Sequence, residues 1–356
     1  MSFFSKLPKR APLFATALLG AGLGGIAISY KPIPTKKEPG WVKILSHGSL
    51  VQVSGNVWQV TGEIFPWVPF SKYLFYWDRN MTVFRPSFAP LSSSSSSSSS
   101  PLSSSSPPPL PFKIDQDSII LHNPVAMEEE EMKKLESIGT PAVLIIPKVS
   151  YFHTRDAMFY KARYPNLVVV CPSEIIDFVN SDVPVDHLAE DVFPHLGIKW
   201  YAPPLKTRHT ELVLEIALEE PSSCNESPKT DGLPPSSALL FCEFMVSKMR
   251  ASPLVSWIAS LYGVDTNLPY PQRSTLFDSV ASKGTDQTMQ EWTEANSSNW
   301  ENVKVLLFTH GCPLVYKRNS VLEKEKEKEK ERIASALVME PRGEGEGEER
   351  GKGRRR

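Results

Sequence analysis

Cysteine is scarce and unpaired in this chain. Four residues, Cys171, Cys224, Cys242 and Cys312, form no Cys-x-x-Cys pair among 356 residues. That excludes a disulfide framework and a zinc finger, and leaves small buried or loop thiols as the plain reading. Net charge is equally scarce. Lys and Arg number 39 against 40 Asp and Glu, for a formal −1, which gives no case for nucleic-acid binding. Acidic residues are missing altogether before Glu38. What is plentiful is apolar material: a hydrophobic fraction of 41% and eight Trp suffice for a real core. The length allows two average domains or one large domain with insertions. The sequons at Asn80, Asn225 and Asn296 are common by chance and do not establish secretion.

In the acid-free N-terminal region, Lys6, Lys9 and Arg10 precede an apolar run from Ala11 to Ile28. Gly20 and Gly24 stand at the spacing that lets transmembrane helices approach closely. The run just reaches the roughly 17–25 residues that cross a bilayer. Three readings compete: a membrane anchor, a cleaved secretory signal, or a mitochondrial presequence with an inner-membrane span. Residues 1–35 are expected to be an anchor or targeting segment, with the membrane engaged through residues 11–28. The mitochondrion is the first expected location and the secretory pathway the alternative.

Low-complexity segments mark what is not core. Residues 90–111 are almost all Ser and Pro, which cannot bury enough apolar surface to order themselves. Residues 318–356 form a charged tail, with alternating Glu and Lys over 323–332 and a Gly/Glu/Arg-rich end.

Between these lie alternating strands and helices. Val57–Val60, Met81–Phe84 and Ser118–His122 read as strands, the last closed by Asn123-Pro124. The Ser/Pro tract reads as an insertion in the hairpin joining the latter two, since turns tolerate additions cheaply. An acidic amphipathic helix over 126–138 ends at Gly139, and Ala142–Ile146 is a buried strand. A helix over 154–164 ends before Pro165, and Leu167–Val170 is the next strand. Leu212–Leu218 and Ala238–Phe241 pair across a polar loop containing Cys224. A helix spans Leu254–Tyr262, and Val303–Phe308 runs into Thr309-His310-Gly311. The alternation predicts a layered α/β domain.

The succession VWQVTG, MTVFRP, SIILHNPV, LESIGTPAVLIIP and FHTRDAMFYKARYPNLVVVCP resembles the DUF4336 family, itself similar to metallo-β-lactamase-fold hydrolases. The order and spacing of several segments carry the resemblance, over roughly residues 55–316. It implies a metallo-β-lactamase-like αββα sandwich over residues 50–317, interrupted by the insertion at 90–111. It also implies one or two metals, usually zinc, held by His-x-His-x-Asp-His after a strand, then a later His, a bridging carboxylate and a final His. Carried over with Tyr164-Pro165 as anchor, His153 falls on the last His of the signature. Lys148 and Ser150 replace its first two His, and Phe152 replaces its Asp. His209 falls on the later His, Glu243 on the bridging carboxylate, and His310 on the final His.

The implied ligands are therefore His153, His209, Glu243 and His310, for one zinc or iron ion or for none. Three imidazoles and a carboxylate can hold a metal whose water attacks an ester, thioester or lactam. Against this, the remnant mixes positions of both metal sites, and Lys148 brings an ammonium toward Glu243. A buried Lys148–Glu243 pair would replace the metal's charge. Two classes thus stay open: a single-metal hydrolase, and a pseudoenzyme that binds an unknown small molecule or protein at a membrane. The segment from Pro253 to Trp300 is expected to cap the mouth of the site.

Plainer roles stand beside these. His153 can be satisfied by backbone at a helix N-terminus, and His209 can be a solvated loop residue. His187 and His195 read as loop histidines near Asp182, Asp186 and Asp191, while His47 and His122 carry no argument. Arg155 and Asp156 read as serving a helix terminus and solvent.

Overall fold

The computed structural model describes residues 44–64, 74, 76–86, 110, 112–148, 151–203, 211–219, 236–243, 245–261, 264–273 and 286–315. The apolar run 11–28, the Ser/Pro tract apart from Leu110, His209 and the charged tail lie outside the described residues.

The chain first builds a seven-stranded sheet, β1 to β7 in spatial order. It comprises β1 (Val51–Ser54), β2 (Val57–Ile64), β3 (Trp77–Phe84), β4 (Ser118–His122), β5 (Thr140–Ile145), β6 (Val168–Cys171) and β7 (His187–Leu188). β1 to β4 pair antiparallel and β4 to β7 pair parallel. The β3–β4 pairing is the hairpin expected across the Ser/Pro tract. Parallel neighbours need crossovers. Helices α1 (Glu129–Ile138), α2 (Tyr151–Thr154), α3 (Ala157–Arg163) and α4 (Ile176–Asp182) lie within these connections, and α5 (Ala189–Val192) follows β7. A five-stranded sheet follows, in the order β14-β13-β10-β9-β8. Its strands are β8 (Lys199–Tyr201), β9 (Val213–Ala217), β10 (Ser237–Phe241), β13 (Val303–Phe308) and β14 (Leu314–Val315). β9 and β10 pair antiparallel as expected. The two-stranded β11 (Met245–Val246) and β12 (Gln272–Arg273) flank α6 (Pro253–Leu261), and α7 (Asp286–Ser297) precedes β13.

Period-two alternation sets the layers. Val143 and Ile145 of β5, Val168 and Val170 of β6, Ala238 and Leu240 of β10, and Val305 and Leu307 of β13 form one core between the sheets. The intervening Leu144 and Val169 turn to the opposite face, against Met132 and Leu135 of α1, Tyr160 of α3 and Val179 of α4. Leu239, Phe241, Leu306 and Phe308 likewise face Trp292 of α7 and Trp300. Helices cover both outer faces, so central strands such as β5 and β6 are buried on two sides and read as apolar runs. The result is the four-layer αββα sandwich that the resemblance implies.

Two expectations need correction. The helix expected over 154–164 is interrupted at its start: α2 ends at Thr154 and α3 begins at Ala157, with Asp156 buried and Arg155 half-buried at the break. Asp156 does not serve a helix end. It takes an ion pair from Arg79 of β3 and another from Arg155, and it accepts the Ala126 N–H. A carboxylate this deep is tolerated only when its oxygens are all met, and here they are.

Candidate functional site

The carboxyl ends of strands from both sheets converge on one cluster, where open α/β sheets commonly bind ligands. Lys148 follows β5 and His153 lies on α2. Cys242 and Glu243 follow β10, His310 follows β13, and Glu211 precedes β9. His153, Glu243 and His310 each offer one ligand atom, and these atoms lie within 4.8 Å of one another, all buried. Sequence reasoning named these three, and the fold brings them together. It also named His209, which lies outside the described residues, as does Ser150.

Lys148 points into the cluster. Its Nζ lies 2.6 Å from Glu243 Oε2 and 3.5 Å from Glu211 Oε2. Burial opposes charge on the ammonium, but the two carboxylates outweigh it and raise the Lys148 pKa. Burial likewise opposes charge on Glu243, yet Lys148 and the hydrogen bond from His153 hold that carboxyl well below the usual range. Both groups are therefore charged at neutral pH.

Glu211 was missed from the sequence. Its Oε1 accepts the backbone N–H groups of Cys242 at 3.0 Å and Glu243 at 2.9 Å, so it fixes the turn that presents Glu243. A signal existed: Glu211 opens an apolar strand much as Glu243 closes one, and a carboxylate in either place needs a partner.

The two imidazoles are held from behind. Asn123, with φ +58°, turns at the end of β4 and accepts from His153 Nδ1 at 2.7 Å, while its Nδ2 donates to the Asn80 carbonyl. Asn tolerates this left-handed backbone better than most residues. His153 Nε2 then faces Glu243 Oε1 at 3.1 Å. Two bare acceptors would repel at that distance, so a proton or a metal ion has to lie between them. His310 Nδ1 donates to the Asp78 carbonyl at 2.7 Å, and burial lowers its pKa to about 4. A neutral ring that donates through Nδ1 leaves Nε2 as a lone-pair donor. Gly311 is in the left-handed region at φ +113°, and a Cβ there would collide with Ser247. Only glycine allows the turn that carries His310.

Two further buried groups line the cluster. The Cys242 Sγ lies 3.8 Å from His153 Nε2, and burial pushes its thiol well above the ordinary value. His122 is fully buried, its Nδ1 lacks a hydrogen-bond partner, and burial lowers its pKa to about 3. His187 stacks on Phe112, and among the described residues neither it nor His195 joins a metal-ligating group.

The donor set suits one metal ion. Two imidazoles with their second nitrogens hydrogen-bonded, plus a carboxylate, form a three-ligand set of the catalytic kind. It does not suit a pair of ions, because the ammonium of Lys148 stands where further ligands would be needed.

No family model matches the chain, and no curated protein matches it. Solved structures similar to it in outline are metallo-β-lactamases. The mono-zinc form of FIM-1 from Pseudomonas aeruginosa is 9% identical, covering 84% of this chain and 99% of its own, at a TM-score of 0.42. The enzyme from Pontibacter korlensis is 9% identical, covering 82% and 99%, at 0.42. That from Hirschia baltica is 9% identical, covering 82% and 98%, at 0.41. Likenesses this distant add nothing to the layer order, which stands on the strand pairing and packing.

Proposed function

We propose that the chain is a non-catalytic or weakly catalytic binding module on a metallo-β-lactamase-like scaffold, held at a membrane through residues 11–28. One observation carries the reading: the Lys148 ammonium is 2.6 Å from Glu243. A tethered cation then balances carboxylates that strand ends bring together, where a metal would otherwise be required. The ligand is an unidentified small molecule or protein. The resemblance to the DUF4336 family belongs to this proposal and rests on segment order alone.

A second reading is favoured by the triad of His153, Glu243 and His310 within 4.8 Å. One zinc or iron ion there would supply an activated water for hydrolysis of an ester, thioester or lactam. In that case Asn123 and the Asp78 carbonyl orient the imidazoles, and Lys148 keeps Glu243 ionised.

The test is metal content by mass spectrometry and zinc affinity by chelator competition, on the full chain purified without a His-tag. Wild type is measured beside Lys148→His and His310→Ala. The ion-pair reading expects little zinc in wild type and an affinity at least about tenfold higher in Lys148→His, the scale of a metal-supporting contact. Stoichiometric zinc in wild type that disappears in His310→Ala would establish the hydrolase reading instead. Unchanged affinity in Lys148→His would remove the ion-pair reading.

A further inference from the structure

Helix α6, Pro253–Leu261, is turned inside out. Leu254, Trp257, Ile258 and Leu261 fall at the i, i+3, i+4, i+7 spacing that in a globular protein faces the core. Here Trp257 is 48% exposed and Leu261 43%, while Leu254 and Ile258 are only half-buried. The helix is seated instead through Ala259, packed with Val246 and Val264 in a small separate core. At its N-terminal end the Ser252 hydroxyl donates to the Leu74 carbonyl, and Leu74 is itself 48% exposed. An apolar stripe of this kind, left uncovered by the described residues, marks an interaction surface.

Two observations bear on what covers it. The first is where the rest of the chain arrives. The described residues begin at 44, and that segment runs along the end of β2, with His47 bridged to Gly62 and Glu63 N donating to Ser46. β2 ends at Ile64, which pairs with Trp77, and Trp77 bridges Ala251, two residues before α6 begins. The apolar run 11–28 is therefore joined to the body at the edge that carries α6. The linker, residues 29–43, spans at most about 50 Å. The second observation is charge. Lys248 and Arg250, just before the helix, are both exposed; the Arg250 guanidinium pairs with the Asp78 carboxylate on its inner side, and cations flanking an apolar, Trp-bearing stripe suit an anionic lipid surface.

We propose that α6 lies on the bilayer, its Leu254–Trp257–Ile258–Leu261 stripe among the acyl chains and Lys248 and Arg250 at the headgroups. The protein is then held flat against the membrane by a second contact besides the apolar run. The site is coupled to this face: Asp78 N donates to the Arg250 carbonyl, and the Asp78 carbonyl accepts from His310. The inference rests on the membrane placement proposed above and is independent of whether the cluster binds metal.

The test uses the full chain, as wild type and Trp257→Phe, with vesicles of phosphatidylcholine and phosphatidylglycerol. Flotation first reports whether the chain binds the vesicles. Fluorescence of the two proteins is then compared with and without phosphatidylcholine brominated on its acyl chains, and the difference isolates Trp257 among the eight Trp. The inference expects flotation, and a Trp257 signal quenched by the brominated lipid but shielded from acrylamide. Flotation with Trp257 unquenched overturns the α6 contact and leaves the membrane placement standing. In that case acrylamide access means the stripe faces water, and shielding means that residues 11–28 or a second copy cover it. Absence of flotation overturns both.

Discussion

Replacing Lys148 with methionine removes the ammonium and keeps most of the stem. What remains is Glu243 buried with no cation against Oε2, and Glu211 buried beside it. Removing one partner of a buried ion pair costs about 3–5 kcal/mol, because the surviving charge cannot return to water. A domain of this size loses about 2–4 °C per kcal/mol, so the melting temperature is expected to fall by about 6–20 °C. The double variant Lys148→Met/Glu243→Gln removes both charges and is expected to recover part of the loss, through a coupling of about 0.5–3 kcal/mol. The pH dependence has a definite sign. The folded pKa of Glu243 is depressed, so its contribution is complete above its ordinary 4.5 and fades as pH falls through the folded value. That of Lys148 is raised, so its contribution is complete below its ordinary 10.5 and fades only as pH rises through the folded value. The gap between wild type and Lys148→Met is therefore widest between those limits and narrows in acid. Urea titrations of the three proteins at pH 7 and pH 4 measure it. Equal stability of wild type and Lys148→Met at pH 7, or a loss that does not change with pH, would refute the reasoning.

Asn123 separates backbone strain from hydrogen bonding. Asn123→Gly and Asn123→Ala both leave His153 Nδ1 without its acceptor, at about 1–3 kcal/mol. Alanine adds about 1–2 kcal/mol of left-handed strain, so equal losses on chemical denaturation would contradict the assigned turn. Asp156→Asn strips the charge facing Arg79 and is expected to cost about 3–5 kcal/mol. Glu129→Gln, which breaks the exposed pair with Arg163, is expected to leave stability nearly unchanged; comparable denaturation midpoints for the two variants would count against the buried pair. Gly311→Ala forces a Cβ into Ser247 and moves His310, at about 1–3 kcal/mol. A variant as stable as wild type would mean the turn adapts.

Most of the fold was legible because two-sided burial writes itself into sequence. Val143 to Ile146 and Val305 to Phe308 face a core on each side and carry no polar residue on alternate positions, so both read as strands. What was illegible depended on partners far along the chain. Nothing near Asp156 announces that Arg79, on a strand well before it, claims its carboxylate and breaks the helix there. Asn123-Pro124 signalled a strand end, but not that the Asn amide would hold His153. Glu211 acts through the backbone N–H groups of Cys242 and Glu243, 31 and 32 positions later, and nothing beside it in the sequence marks that partner. His122 looked uninformative, and it is buried beside His153 with one ring nitrogen unmet. In the cluster, Glu243 and His310 were recoverable because each closes an apolar strand, whereas Asn123 and Glu211 act by hydrogen bonds to residues far along the chain.

The same geometry decides how a metal and Lys148 would share Glu243. The ammonium uses Oε2 and the His153 side uses Oε1, so an ion held by His153, Glu243 and His310 need not displace Lys148 sterically. The obstacle is electrostatic, because a dication on Oε1 would stand one carboxylate away from an ammonium in a buried site, where such repulsion is screened little. Glu211 offsets part of it by adding a second negative charge on the Lys148 side. Zinc binding and loss of the Lys148 charge should therefore be linked, and each makes the other easier. Lys148→Met should then bind zinc more tightly than wild type and be stabilised by it, by about 2.7 kcal/mol at a hundredfold excess over Kd. If saturating zinc leaves the melting temperature of Lys148→Met unchanged, Lys148 is not what keeps metal out, and the cluster has lost its affinity for another reason.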